Sequence, residues 1–231
     1  MPTPDDIQYA VASTRVILPP RRALETFDST VIRYHYVSER MDVGGEVSIR
    51  EGTLHAERPQ VITPAYFERL LLEGFGEESQ GYVDWLQAHI KDVTFLQFGF
   101  RFRKEENRQS VVHESLEAVI ERVRAEVEGR DDPLGSVLTG VDDFWEICLL
   151  KFATDVIRKS APENIRQMQQ KNMFREVEGI PLAVRAEIEE DMRAVGTDRE
   201  RLNELGRKLR NYGIFENYED RFFSLVRTMG R

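Results

Sequence analysis

The chain has 231 residues, a formal net charge of −9 at pH 7 and a sequence pI of about 5.2. Hydrophobic residues make up 41% of the sequence and charged residues 32%, which is enough apolar content for a folded core and is not typical of a disordered protein. An acidic surface repels phosphate backbones and anionic lipids, so we expect neither nucleic acid nor a membrane among the partners.

Several features predict a soluble cytoplasmic protein. The single cysteine, Cys148, excludes an intrachain disulfide. The segment Met1 to Asp6 has neither the basic nor the apolar part of a secretory signal. The most apolar helical stretch, Phe144 to Ala153, is interrupted by Glu146 and Lys151, so it cannot span a bilayer. No motif indicates a bound cofactor, and none is predicted.

The first sixty residues are predicted to form strands. The segments Ala12 to Leu18 and Thr30 to Ser38 are rich in β-branched and aromatic residues. Gly44-Gly45 is typical of a hairpin turn and would join the second segment to a strand from Glu46 to Ala56. Neither strand of this hairpin alternates cleanly between apolar and polar residues, so the sequence does not show which face is buried.

Helices and one more strand are predicted next. Thr63-Pro64 is a start signal for a helix that Gly74 can end, and a second helix is predicted from Tyr82 to His89. Val93 to Lys104 alternates large apolar residues with polar ones, as expected for a strand with one buried face. The apolar spacing from Ser110 to Glu128 predicts another helix.

A cluster of turn-forming residues, 129–135, is the best candidate for a domain boundary. Every segment after it is predicted to be helical, and Ser160 with Glu163 matches a capping box at a helix start. We therefore predict an α+β domain at residues 1–130 and a helical domain at residues 136–231, with a shared core as the alternative. The expected fold is a small antiparallel sheet with helices packed on one face, followed by a helix-rich C-terminal bundle.

Four basic residues on predicted strands suggest a site for an anion. Arg101 and Arg103 lie on the polar face of one strand, and Arg33 and His35 lie on one face of another. Arginine binds carboxylate and phosphate groups through two parallel hydrogen bonds. A rigid sheet would hold the guanidinium groups in the geometry that such a ligand needs.

Two interpretations of these basic residues compete. In the first, they bind a small carboxylate or phosphate, and Tyr34 and Tyr36 stack on a planar ligand. His55, on the strand that pairs with the Thr30 strand in the hairpin, adds a further imidazole to this site. His35 would then exchange a proton, since its unperturbed pKa is about 6.5. In the second, the arginines form ion pairs with surface carboxylates such as Glu51. The first interpretation requires that the two strands are neighbours and that the side chains converge in a concavity.

A metal site has weaker support. His113 and Glu117 are four residues apart on the helix predicted from Ser110, so both could face one ion in a metal-dependent hydrolase. The second histidine of the zincin pattern is missing, and acidic residues near a helix start stabilise the helix without a metal. The main prediction is therefore that no metal is bound.

The C-terminal helices favour a function in association. Apolar residues recur at heptad-like spacing from Leu202 to Tyr212, and an aromatic run follows to Phe223. Phe222 and Phe223 cannot both face inward from one narrow stripe, so aromatic surface should remain for a subunit or partner interface. Phosphate loops and nucleophile elbows are missing from the sequence. The leading hypothesis is a non-catalytic cytoplasmic interaction or regulatory protein that forms homo-oligomers or binds a protein partner. The alternative is a binding protein or enzyme for the small anion.

Overall fold

The structure, a computed structural model of the chain, describes residues 2–40, 44–61, 81–82, 98–99 and 102–229. Within these residues the helices are α1 (Pro4–Ser13), α2 (Leu116–Gly129), α3 (Trp145–Gln170), α4 (Leu182–Ala194), α5 (Arg199–Asn211) and α6 (Phe215–Met229). The strands are β1 (Arg15–Leu18), β2 (Thr30–Glu39), β3 (Val47–Ala56), β4 (Gln60–Val61), β5 (Phe98–Gly99), β6 (Phe102–Val112), β7 (Gly135–Thr139), β8 (Glu176–Val177) and β9 (Ile180–Pro181). Three predicted elements lie wholly or mostly outside the described residues. They are the helix predicted from Thr63-Pro64, nearly all of the helix predicted from Tyr82, and most of the strand predicted from Val93.

The largest sheet of the described residues has the strand order β1-β7-β2-β3-β6. The predicted hairpin is confirmed, since β2 and β3 pair antiparallel from Thr30↔Ala56 to Glu39↔Val47. β1 with β7 and β3 with β6 are also antiparallel, whereas β2 with β7 is parallel. The prediction that only helices follow residue 135 is wrong because of β7. All five residues of β7 are buried, and so short a buried segment has no periodicity that distinguishes strand from helix.

The two faces of the sheet pack against different helices. One face contributes Ile32, Tyr34 and Tyr36 of β2 to a core that also contains residues of α1 and α3. The other face contributes Val37 and Val137 to a cluster with residues of α2. Successive residues of a strand point to opposite faces, which explains how β2 serves both cores. The α+β class is confirmed, and α2 covers a face for which no helix was predicted.

Helices α4, α5 and α6 form a separate cluster of buried residues, as predicted for the helix-rich C-terminal part. Its members are Ile180, Val184, Ile188, Met192, Val195, Leu202, Leu205, Leu209, Ile214 and Tyr218. An ion pair between Arg58 and Glu190 links α4 to the segment that follows β3. No helix in the described part of the chain has the length and apolar character needed to cross a membrane.

Two helix starts differ from the predictions. β6 continues to Val112, and the Ser115 hydroxyl accepts a hydrogen bond from the Ala118 N–H, so α2 begins at Leu116 and not near Ser110. Ser160 does not cap a helix, because it lies buried in the middle of α3. Its hydroxyl instead donates a hydrogen bond to the carbonyl of Val156, four residues earlier in the same helix, as Ser side chains inside helices often do.

Candidate functional site

A cleft of about 390 Å³ opens where the end of α2 meets the sheet. Its lining residues come from β2, α2, the loop after α2 and the start of β7: Arg33, His35, Val127, Arg130, Asp132 and Gly135. The volume falls within the range of small-molecule sites, about 300–1,000 Å³. Arg33 and His35, which the sequence suggested as anion ligands, both line this concavity.

Strand geometry explains why these two residues share the cleft. Arg33 and His35 are two positions apart on β2, so both lie on the face that α2 covers. In the parallel register, Arg33 lies opposite Gly135 and His35 lies opposite Val137. The start of β7 therefore forms one wall of the cleft beside β2.

Gly135 permits the close approach of β7 to α2. A Cβ atom at this position would lie 2.7 Å from Val127 Cγ1, a separation that real Cβ atoms do not tolerate. A larger residue at this position would therefore force the Val127 side chain or its surroundings to shift. Arg130 directly follows the last turn of α2 and lines the same cleft as Gly135.

Asp132 holds the loop between α2 and β7 against the sheet. Its carboxylate accepts a 3.0 Å hydrogen bond from the Leu134 N–H and forms an ion pair with Arg33 at 2.7 Å. The preceding Asp131 adopts the left-handed conformation with a φ of +50° and pairs with Arg21 at 2.9 Å. These contacts fix the loop and orient the Arg33 side chain in the cleft.

Two guanidinium groups supply positive charge at the rim. The side chain of Arg33 is 56% exposed and that of Arg130 is 60% exposed. Arg130 approaches the carboxylate of Glu126 only to 4.0 Å, and Arg33 contacts Asp132 through one nitrogen. Each guanidinium carries five N–H donors, so most donors of both groups remain available to a ligand.

His35 forms the buried part of the wall, with 7% of its surface exposed. Its Nδ1 lies 3.3 Å from the Ser136 carbonyl oxygen, and its Nε2 lies 3.4 Å from the Glu51 carboxylate. Burial lowers the pKa of the His35 imidazole below its usual value, although the Ser136 carbonyl and Glu51 both favour the protonated form. The lowered pKa favours the neutral ring, and an N–H at Nδ1 is the group that the Ser136 carbonyl oxygen can accept from.

Arg103 lies on the same face of the sheet but outside the cleft. It is on β6, and β3 lies between β6 and β2, so the two basic strands are not neighbours as the first interpretation requires. Arg103 forms a 3.0 Å ion pair with Glu105, and His55 approaches the same carboxylate at 3.4 Å. For Arg103 the ion-pair interpretation describes the structure. Arg101 lies outside the described residues.

Tyr34 and Tyr36 cannot stack on a ligand in the cleft. Both are fully buried on the opposite face of the sheet. Alternation along β2 places them one residue away from Arg33 and His35 in sequence but on the other side of the strand. Arg130 lines the cleft, although the sequence indicated only that it lies in a turn-forming segment at a candidate domain boundary.

A buried ionic cluster on that opposite face was also not predicted. The Arg50 guanidinium donates a 2.5 Å hydrogen bond to Asp142 and lies 5.1 Å from the Trp145 ring centroid, and Ser38 donates to the same carboxylate at 2.7 Å. Although burial disfavours the charged form, the bonds from Arg50 and Ser38 keep the pKa of Asp142 below its usual value. Arg50, Ser38 and Asp142 hydrogen-bond one another beside the Trp145 ring, so we assign no ligand to this cluster.

The two candidate metal ligands do not lie on one helix, contrary to the expectation from their spacing. His113 precedes α2 rather than lying within it, its side chain is 78% exposed, and its imidazole approaches Glu46 at 3.3 Å. Glu117 is an exposed residue in the first turn of α2, where a negative charge stabilises the helix start. The described residues contain no group of three or more His, Cys, Asp or Glu side chains that could hold a metal ion.

No protein-family model, curated protein or solved structure matches this chain. The chemistry of the cleft is therefore the basis for assigning its ligand. Two accessible guanidinium groups and a neutral imidazole surround a space of metabolite size, a combination suited to a small anion with hydrogen-bond acceptors.

Proposed function

We propose that this protein binds a small anionic ligand, a carboxylate or a phosphate, in the cleft between β2, β7 and the end of α2. The observation that supports this most directly is that Arg33, Arg130 and His35 line one cavity of about 390 Å³. The guanidinium groups would form charge-assisted hydrogen bonds with the ligand, and these bonds are about twice as strong as neutral ones.

The arrangement favours an anion over a neutral ligand. The residues that line the cleft include two arginines and one carboxylate, Asp132, so the lining itself has one excess positive charge, and the carboxylates of Glu51 and Glu126 lie beside it next to His35 and Arg130. Asp132 already engages one nitrogen of Arg33 and so preorganises the side chain for a bidentate contact. Both ring nitrogens of His35 already face protein oxygens, Nδ1 the Ser136 carbonyl and Nε2 the Glu51 carboxylate, which makes His35 a secondary contact for the ligand.

Arg130 also has a structural role that must be separated from ligand binding. It is the C-cap residue of α2, where a positive charge offsets the partial negative charge of the helix end. Loss of its charge is therefore expected to lower stability slightly even if no ligand binds. Ligand-dependent shifts, measured against each variant's own baseline, remove this contribution.

The test is a thermal-shift titration with inorganic phosphate, a sugar phosphate and succinate at constant ionic strength. A ligand that binds only the folded state at 100 times its Kd stabilises it by about 2.7 kcal/mol. We expect Arg33→Gln and Arg130→Gln each to weaken binding of the active anion about tenfold or more, since hydrogen bonds to charged groups contribute about 1.5–3 kcal/mol.

Arg103→Gln is the matched control. It removes the same charge from the same face of the sheet, but at a position outside the cleft where the side chain pairs with Glu105. It should leave the ligand-dependent shift unchanged. A flat response to every anion, or an equal loss of response in all three variants, would show that the cleft is not an anion site.

We also propose a cytoplasmic location. The thiol of Cys148 is free and fully buried against the sheet, as expected for a protein that folds without disulfide chemistry. A fluorescent fusion that distributes with a cytoplasmic marker would support this, and enrichment in any other compartment would contradict it.

A further inference from the structure

Helix α6 exposes two apolar side chains that are not part of the buried C-terminal cluster. Phe223 is 43% exposed and Val226 is 39% exposed, and they are neighbours three residues apart on one helix face. The inner side of α6 is occupied by Tyr218, which is buried, and by Phe222, whose ring lies against Gly206 of α5. The sequence-based expectation that Phe222 and Phe223 face different ways is confirmed.

The exposed ring is held in a defined position. Phe223 makes edge contacts with Phe222 and Phe215, with ring centroids 5.8 Å and 6.3 Å apart. Such contacts restrict the side chain before any partner binds, so little conformational entropy is lost on association. A preordered aromatic side chain at the surface is a typical anchor of a protein interface.

The charges beside Phe223 are arranged with opposite signs on its two sides. Glu219 lies one turn before Phe223 and Arg227 lies one turn after it, and both are exposed. Neither forms an ion pair with another described residue, whereas Arg221 of the same helix is paired with Glu189 of α4. Glu219 and Arg227 are therefore charges without an intramolecular partner in the described part of the chain.

We propose that α6 binds a second copy of this chain, with the two α6 helices antiparallel about a twofold axis at Phe223. Because Glu219 and Arg227 are each four residues from Phe223, this pairing brings Glu219 of each copy level with Arg227 of the other. The two Phe223 rings would meet at the axis, flanked by two equivalent ion pairs. A parallel pairing would place like charges opposite each other, so the charge pattern selects the antiparallel arrangement.

The expected dimer is weak. α6 has 15 residues and is about 22 Å long, so it covers less than the roughly 800 Å² per partner of a standard interface. The two ion pairs should therefore determine orientation and specificity more than affinity. Association should be visible by sedimentation velocity of the full chain between about 10 and 500 µM, the range expected for an interface below standard size.

Reciprocal charge reversal tests this geometry. Glu219→Arg and Arg227→Glu should each weaken self-association about tenfold or more, since each places like charges opposite one another twice. An equimolar mixture of the two variants should form a heterodimer, because every facing pair is then of opposite charge. A Glu204→Arg and Arg207→Glu pair on the exposed face of α5 is the control and should change neither measurement.

Three outcomes of these experiments would contradict the proposed dimer. If the chain remains monomeric up to about 500 µM, the upper end of the expected range of concentrations, no dimer of the expected affinity forms. Dimers that tolerate both single reversals form through another surface. If both reversals abolish association and the mixture does not restore it, the antiparallel register about Phe223 is wrong. Circular dichroism of each variant verifies that loss of association is not loss of folding.

Discussion

Gly52 occupies a position in β3 that has no room for a side chain. A Cβ atom there would lie 2.3 Å from the Glu105 carbonyl oxygen on β6 and 2.4 Å from the hydroxyl of Tyr34. One of these neighbours is backbone and the other is fully buried, so neither can move cheaply. The register of β3 and β6 shifts between Glu51 and Gly52, and the missing side chain lets the strands approach at this irregularity.

We predict that Gly52→Ala lowers the free energy of unfolding by about 1–3 kcal/mol, the usual cost of overpacking a core. The measurement is urea denaturation of both proteins, compared at their midpoints. Gly44→Ala is the control, because no atom of the described residues lies within 4 Å of a Cβ at that turn position. Equal midpoints for Gly52→Ala and the wild type would mean that the two strands can separate without cost.

Arg33 and Arg103 are chemically identical residues on one face of the sheet, but their surroundings differ. Arg33 stands beside the loop after α2, whose Asp132 orients it over a concavity. Arg103 stands on the edge strand β6, where Glu105 of its own strand is the partner. Sequence alternation predicts which face each occupies, but only the order of the strands decides which of them lines a cleft.

Helix α3 holds the connection between β1 and β2 through two polar side chains one turn apart. The Leu24 N–H donates to the Ser160 hydroxyl at 3.0 Å, and the Asn164 amide donates to the Leu24 carbonyl at 2.8 Å. Leu24 itself is buried, so its backbone groups have no access to water and depend on these partners. The two side chains therefore substitute for the hydrogen bonds that a strand or helix would provide.

We predict that Ser160→Ala and Asn164→Ala each destabilise the protein by about 1–3 kcal/mol, since each leaves a buried backbone group unpaired. The double variant should lose less than the sum, because either change already releases the same segment. Urea denaturation of the full cycle measures this, with exposed Lys159→Ala as the control on the same helix. Strictly additive losses would show that the two bonds hold the connection independently.

The secondary structure could be predicted where periodicity or turn chemistry was strong, and the site could be predicted only in part. The β2–β3 hairpin follows from its β-branched residues and Gly44-Gly45. β7 could not be predicted, because a short buried strand has no polar face to reveal it. Since β7 forms one wall of the cleft, Arg130 and Asp132 could not be assigned to a site before the parallel pairing of β2 and β7 was known.

The cleft and the outer face of α6 involve different elements of the molecule. The cleft is built by β2, β7 and the end of α2, whereas Phe223 and Arg227 belong to the cluster of α4, α5 and α6. No lining residue of the cleft belongs to that C-terminal cluster. The proposed ligand binding and the proposed self-association therefore depend on different residues, and variants in one surface should leave the other intact.

Buried His35 connects the cleft to the stability of the whole protein. Its folded-state pKa is lowered, chiefly by burial, against an unfolded value of about 6.5. Below about pH 6.5 the unfolded chain binds a proton that the folded protein resists, so the free energy of unfolding falls as the pH falls. This contribution is complete above pH 6.5 and is lost toward the folded-state pKa, at no more than about 1.4 kcal/mol per pH unit.

We predict that His35→Gln removes this pH dependence while keeping a donor for the Ser136 carbonyl. Urea denaturation between pH 8 and pH 5 should show that the free energy of unfolding of the wild type falls relative to that of the variant as the pH falls, because only the wild type carries the histidine contribution. The nearby charges that modulate it, Glu51, Glu126 and Arg130, are present in both proteins and cancel in the comparison. Parallel curves over this range would mean that the imidazole titrates alike in both states and is not shielded from water by the walls of the cleft.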